Sequence, residues 1–322
     1  MTRRFIDGCL VVVLAVVCLA ALFAPASAQT CHGAIDTLNF GTIDLTANIA
    51  YDTSGTVSVT CSGTAGATVR VCPSVGAGSG GMAGGGNPRT MTNGAILLQY
   101  NLFKDAGRTT IWGAYTGPNS PLPIDVTLNA GGTGSASVPI YGRVFAGQTT
   151  LPALTYQSIF SGAESSISYD YIAAGTCAAI GAAHQTAAPF AVTANDSNSC
   201  TISAAALNFG NIATTAANTD STATVTVACS TGTAYTVSLD GGLTGATDPT
   251  QRYMLNGANQ LRYGLYRNAA RSQPWGATAG VDTQGGTGDG APNALTVYGR
   301  VPIQTTPSIG AYRDFVIVTV TY

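Results

Sequence analysis

Apolar and polar residues alternate with a period of two along short stretches of the chain, as in Thr224-Val225-Thr226-Val227 and Val316-Ile317-Val318-Thr319-Val320. Alternation at that period turns one row of side chains inward and the next outward from an extended strand. Gly, Asn, Pro and Ser clusters interrupt the stretches at close intervals, as turns between strands do. The long apolar run is residues 9–24, which follows Arg3 and Arg4 and precedes Ala26-Ser27-Ala28. This order reads as a secretory signal peptide, residues 1–28, cleaved before Gln29. The run falls short of the ~20 apolar residues that span a bilayer. The arginine pair hints at twin-arginine export, but disulfide chemistry favours the general secretory route. Beyond the signal, no run of ten or more residues holds helical apolar spacing, so the pattern predicts an exported all-β protein.

Composition narrows the function. Only 9% of the 322 residues are charged, 40 are Gly, the formal net charge is −2 and Lys104 is the single lysine. A chain with so few cations has no basic patch to neutralise phosphates, and nucleic acid is excluded as a partner. Cys9 and Cys18 leave with the signal, and the remaining Cys31, Cys61, Cys72, Cys177, Cys200 and Cys229 form an even set suited to an oxidising compartment. The two histidines, His32 and His184, stand far from any cysteine cluster of metal-site spacing, so no metal is expected. Neither is placed as a general base, and no Gly-rich stretch continues as a phosphate loop, so neither an enzyme nor a cofactor is expected.

The mature chain repeats itself. Cys31 leads at fixed distance to Leu38-Asn39-Phe40-Gly41, and Cys200 to Leu207-Asn208-Phe209-Gly210. Thr56–Ser62 matches Thr224–Ser230, and Thr68–Val71 matches Thr236–Leu239. Tyr100, Leu102, Phe103, Lys104, Arg108, Trp112 and Gly113 match Tyr263, Leu265, Tyr266, Arg267, Arg271, Trp275 and Gly276, and Tyr141–Val144 matches Tyr298–Val301. Equivalent positions imply equivalent bonds, Cys31 to Cys61 and Cys200 to Cys229. Cys72 falls opposite Asp240 and is left with Cys177 in a pair private to the first copy. Two all-β sandwiches are expected, with Trp112 and Trp275 as core fillers rather than ligand platforms.

The Cys–x6–Leu-Asn-Phe-Gly opening, the Tyr-x-Leu-Phe/Tyr-Lys/Arg stretch ending in Trp-Gly, the Tyr-Gly-Arg-Val strand and the terminal Tyr322 together resemble the spore coat protein U domain family. That family includes subunits of archaic, Csu-type chaperone–usher pili. The resemblance implies two tandem immunoglobulin-like, pilin-type β-sandwiches, the second lacking its last strand. In such subunits an extended segment from a neighbour adds to the open sheet and fills the groove with alternate side chains. The first copy departs from the second at Leu151–Ser166, which is longer, and in the loops after Cys72 and Trp112.

Thr186–Asn195 resembles the segment that pilins donate, with Phe190, Val192 and Ala194 on one face. A whole domain precedes it, so its expected acceptor is that domain; the alternative is that 186–199 is a plain linker. The expected domains are 29–199, N-terminal, adhesive and self-complemented by strand 186–195, and 200–322, a pilin domain that accepts a donor strand. Only Gln29 and Thr30 precede Cys31 after cleavage, so the chain is expected to accept a strand and give none, which places it at a pilus tip. The implied partners are a periplasmic pilus chaperone, an outer-membrane usher, an adjacent minor pilin and an abiotic or host surface, with attachment and biofilm formation as the role. Candidate adhesive residues on first-domain loops are Val75, Met82, Met91, Tyr115, Pro121, Leu122 and Ile180, for which the alternative is a place capping the core. A secreted coat or cell-surface protein built from two such domains is the second functional expectation.

Overall fold

The computed structural model describes residues 29–83, 87–182 and 184–322. The expected signal peptide lies outside the described residues. Residues 30–196 build an eight-stranded sheet against a four-stranded one. In the larger sheet the order is β1 (Thr30–Ile35), β3 (Tyr51–Ser62), β8 (Thr133–Val144), β6 (Ile96–Phe103), β5 (Arg89–Asn93), β9 (Thr155–Phe160), β12 (Phe190–Asp196) and β2 (Leu38–Ile43). The smaller sheet runs β11 (Thr186–Ala187), β10 (Ser165–Tyr171), β4 (Thr68–Val75) and β7 (Ile124–Thr127). A short helix, α1 (Cys177–Ile180), lies on the return from β10 to β11. The inward rows of both sheets meet in one core around Trp112, Tyr100, Tyr156 and Phe160.

Residues 200–321 repeat the plan with fewer strands. One sheet runs β13 (Cys200–Ala204), β14 (Thr219–Cys229), β19 (Asn293–Val301), β17 (Asn259–Tyr266) and β16 (Arg252–Asn256). The other is β18 (Gln284–Thr287), β15 (Ala234–Leu239) and β20 (Val318–Thr321). The fold is therefore all-β, with two tandem immunoglobulin-like sandwiches, the second lacking a strand that the first has. The second is seated where β12 ends: Ser199 Oγ donates to Asp44 Oδ1 (2.6 Å), and Thr231 Oγ1 donates to the Thr150 carbonyl (2.8 Å).

The repeated motifs have physical causes. Asn39 and Asn208 each accept the amide hydrogen of the glycine two residues on, Gly41 and Gly210 (2.8 Å each), whose φ of 69° and 70° only glycine adopts cheaply. The Leu and Phe of the same motif pack onto the glycine of Tyr-Gly-Arg-Val. A Cβ on Gly142 would meet Phe40 Cζ at 3.0 Å, and one on Gly299 would meet Leu207 Cδ1 at 2.8 Å. The disulfides join Cys31 to Cys61 and Cys200 to Cys229 across directly paired strands, and Cys72 to Cys177 between β4 and α1.

Both tryptophans are fully buried. Trp112 Nε1 donates to the Pro73 carbonyl (2.8 Å) and Trp275 Nε1 to that of Val237 (3.0 Å). These bonds correct one step of the sequence alignment. Val237 stands where Pro73 stands, not Val69, so the position opposite Cys72 is Thr236 rather than Asp240. The four-residue slip arises ahead of the matched strand positions, because Cys61 to Cys72 spans more chain than Cys229 to Thr236, and each strand carries a Thr-Val pair that invites the wrong match. Buried Arg89 and Arg252 then match as well. Arg89 donates to the carbonyls of Gly76, Val75 and Trp112, and Arg252 to those of Asp240, Leu239 and Trp275. Burial pulls Arg89 down to about 10, which leaves it charged at neutral pH.

Candidate functional site

The two sandwiches differ most in the larger sheet, around the position that β12 holds in the first. This strand runs antiparallel to β9, with Phe190 opposite Phe160, Val192 opposite Ser158 and Ala194 opposite Tyr156. On its other side it runs parallel to β2, with Val192 opposite Leu38. Its inward side chains are buried, with Phe190 at 6%, Val192 at 0% and Ala194 at 1% exposure. The Phe190 ring stacks on Phe160 at 4.5 Å and lies 6.2 Å from Trp112. The segment between the repeats is therefore a strand of the first sheet, not a loose connection.

In the second sandwich the two neighbours of that position are present and the strand between them is missing among the described residues. Leu255 bridges Arg313 as Thr92 pairs with Gln157, and Thr92 and Leu255 each stand three residues after the buried arginine. Residues 311–316 are thus the counterpart of β9, with Tyr312, Asp314 and Val316 in the places of Tyr156, Ser158 and Phe160. Leu207–Ile212 is the counterpart of β2. Neither stretch forms a strand, apart from the single bridge at Arg313. Between them lies a groove of about 600 Å³ lined by Leu207, Phe209, Tyr263, Tyr312, Asp314 and Val316, among others. The alternation survives along 311–317, but its inward residues are only half-buried, and Phe315 and Ile317 stand 71% and 66% exposed.

The floor of the groove is not wholly apolar. Tyr263 OH donates to Asp314 Oδ2 (2.5 Å), and the Leu243 amide donates to Asp314 Oδ1 (2.7 Å). Burial pushes the Tyr263 hydroxyl well above its ordinary range, and the adjacent Asp314 adds to the shift. The first sandwich has Tyr100 and Ser158 at these places, neither hydroxyl partnered among the described residues.

The candidate adhesive residues are mostly in the wrong place for contact with a surface. Val75 ends β4, Met91 lies within β5, and Pro121 and Leu122 lead into β7; all four are buried. Ile180 packs against the Cys72–Cys177 bridge and is buried too. The core-capping alternative describes these five, because strand residues next to a turn still face the sandwich. Met82 and Tyr115 are half-buried. The large apolar side chains that the first sandwich does expose are Ile49, Leu97, Ile159 and Ile172, none of which sequence reasoning singled out. Sequence matching also found Arg108, Arg143, Arg271 and Arg300 without their roles. Arg143 and Arg108 pair with Asp52, and Arg300 and Arg271 with Asp220, on the outer face of each sheet. Hydrogen bonding from Arg143, with the charge of Arg108 beside it, holds Asp52 below the usual carboxylate range.

The structure is similar to a chain in the CsuC–CsuE chaperone–tip adhesion subunit pre-assembly complex from archaic chaperone–usher Csu pili of Acinetobacter baumannii. The TM-score is 0.54 at 16% identity, covering 91% of this chain and 100% of that one. The CupB6 tip adhesin of Pseudomonas aeruginosa matches at a TM-score of 0.35 and 11% identity, covering 92% and 95% of the two chains. No curated protein sequence matches the chain. The spore coat protein U domain matches residues 16–162 and again 186–319, and the second match opens on the segment that holds β12, although that strand is built into the first sandwich. Two such matches cover most of the chain, which belongs to the spore coat protein U domain family.

Proposed function

We propose that the chain is the tip subunit of a chaperone–usher pilus, with a first domain, 29–199, completed by its own strand and a second domain, 200–322, completed by a strand from another polypeptide. The observation that carries this reading is the pairing of a filled position with an empty one. A segment that belongs by sequence to the second repeat fills the first sandwich, and the same position in the second is an open groove with both rims unpaired. An open edge beside an exposed core is a hazard in solution, and strand addition removes it by supplying backbone partners and apolar side chains together. The one extended segment that leads into the second domain is already used by the first, so it is not free to complete a further subunit.

In this reading the N-terminal segment exports the chain to the periplasm, where a chaperone lends a strand to the second groove. An outer-membrane usher then exchanges that strand for one from an adjacent minor pilin, leaving the first domain outermost. Its exposed surface, rather than the buried loop residues Val75, Met91, Leu122 and Ile180, makes the contact with an abiotic or host surface in attachment and biofilm formation. The likeness to a chaperone–tip subunit complex supports the fold on which this depends. The test is to export residues 29–199 and 200–322 separately, with and without the cognate chaperone. The first is expected as a soluble monomer alone and the second only in complex with the chaperone. Soluble, partner-free monomers of both halves would sink the proposal and favour a free-standing coat protein.

A further inference from the structure

The first sandwich shows what a strand meets in this position, and the second meets it with one changed residue. Three inward side chains of β12 lie over three inward side chains of β9: aromatic on aromatic at Phe190 and Phe160, Val192 over Ser158, and the small Ala194 over Tyr156. In the second groove the facing residues are Val316, Asp314 and Tyr312. The outer two ask for the same pattern, with a large side chain over the smaller Val316 and a small one over Tyr312. The central one differs, since a carboxylate replaces the hydroxyl of Ser158.

Asp314 is only partly satisfied. Its Oδ1 accepts from the amides of Leu243 and Phe315, whereas Oδ2 accepts only from Tyr263 OH among the described residues. A carboxylate oxygen has two acceptor sites, and water reaches the second while the groove is open. An incoming strand expels that water. A valine at the central position, as in β12, offers the oxygen nothing in return, and leaving such a group unmet costs more than the bond itself contributes. Threonine has the same branched shape and β preference as valine and donates a hydrogen bond.

We propose that Asp314 makes the second groove selective for a donor strand with a hydroxyl-bearing residue at its central inward position, and so disfavours β12 from other copies of this chain. The inference rests on the strand-accepting reading above and adds the chemistry of the partner. It guards against self-polymerisation during folding, before β12 is seated in its own sandwich and while it is still free to fill the groove of another copy. Specificity of this kind needs a repulsive element as well as an attractive fit, and Asp314 is placed to be one.

The test uses the full chain in complex with its chaperone and two labelled synthetic peptides, residues 186–196 and the same peptide carrying Val192→Thr, with uptake in exchange for the chaperone strand read by fluorescence anisotropy. The threonine peptide is expected to bind about tenfold more tightly or better, the ratio that one hydrogen bond to a charged group supports. In the Asp314→Ser chain the two affinities should converge to within about twofold. Equal binding to the unaltered chain, or a threonine preference that survives Asp314→Ser, overturns the proposal. Binding of neither peptide to either chain refutes the strand-accepting reading itself. Because Asp314 also holds the 242–244 turn, a second measurement avoids altering that turn. Ser158→Asp in the first sandwich should lower its melting temperature, and adding Val192→Thr should recover at least half of the loss. A double variant that melts no higher than Ser158→Asp alone overturns the proposal as well.

Discussion

Residues 155–160 and 311–316 occupy the same place in two copies of one fold, yet the first is a strand and the second is not. Their patterns are alike: both alternate outward polar or exposed residues with inward Tyr, a polar residue and an apolar residue. What differs is the neighbour. β9 has β12 along its full length, and Tyr156, Ser158 and Phe160 are all fully buried. The stretch 311–316 has only the bridge from Arg313 to Leu255, and its inward residues remain half-buried. Leu38–Ile43 and Leu207–Ile212 repeat the contrast on the other side of the missing strand. Propensity and alternation are therefore not enough for a strand here, because backbone groups need partners and the inward row needs a wall on both sides.

The comparison breaks most severely if β12 is removed from the filled side. Phe190→Asp puts a carboxylate between Phe160 and Trp112, losing a buried aromatic ring worth roughly 3–5 kcal/mol and adding the cost of a buried charge. That exceeds much of a typical domain's total stability. The first sandwich should then be left open with a carboxylate in its core, and no soluble full-length chain should appear in the periplasm even when the chaperone is supplied. Ile159→Asp, on the outward face of β9 and 48% exposed, is the control and should leave the yield unchanged. A soluble, protease-resistant Phe190→Asp chain would mean that β12 is dispensable.

Much of this was legible in the sequence, for reasons that particular residues make plain. The twofold repeat and the all-β class follow from matched motifs and period-two alternation, which are local signals, and the three disulfide pairs follow from where the cysteines fall in the repeat. Phe190, Val192 and Ala194 announced their shared inward face by their spacing. Other features were hidden because they depend on what lies opposite. Thr68–Val71 and Thr236–Leu239 look equivalent, but the indole and buried-arginine hydrogen bonds show that the match is off by four. Val75, Leu122 and Ile180 sit beside Gly or Pro, and Met91 lies between two such clusters, so all four read as loop residues, whereas the strands and the short helix bury them. Asp314 belongs to none of the repeated motifs, and its meaning emerges only when it is seen in the place of Ser158.

A second, smaller intervention tests a feature that the first sandwich has alone. The Cys72–Cys177 bridge spans 105 residues and ties β4 to the return that carries the chain from β10 through α1 and β11 to β12. The position of Cys72 is held by Thr236 in the second sandwich, which has no such bridge. Replacing both cysteines with serine should destabilise the first sandwich by about 2–4 kcal/mol. The effect should appear as a lower melting temperature for one transition of the full chain, with the second transition unmoved. If both transitions fall together, the sandwiches unfold as one unit and cannot be treated as a filled and an unfilled copy. If neither moves, the return is held by β10–β11 pairing and packing alone.

The finest distinction concerns the end of β12 at the junction between the sandwiches. Asp196 is the last inward residue of the strand and only 4% exposed. Its Oδ1 accepts the Leu45 amide hydrogen at 3.0 Å, and Oδ2 has no partner among the described residues. Burial is the main reason that its carboxyl is pushed up to about 6, with the nearby charge of Asp44 adding and the Leu45 bond opposing. A carboxyl raised in the folded state binds its proton there before the unfolded chain does. Stability should therefore rise as pH falls from above 6 toward the ordinary value near 3.8, and the penalty should be fully present above that window. Asp196→Asn keeps an oxygen for the Leu45 amide and removes the charge. It should stabilise the first sandwich at pH 8 by on the order of 1–2 kcal/mol, with the gain shrinking toward pH 4. Melting curves of both chains across that range give the answer. A gain that does not shrink on acidification would come from packing or hydrogen bonding. A loss at pH 8 would show that the carboxylate is held charged and satisfied at the junction, where the filled sandwich hands the chain over to the open one.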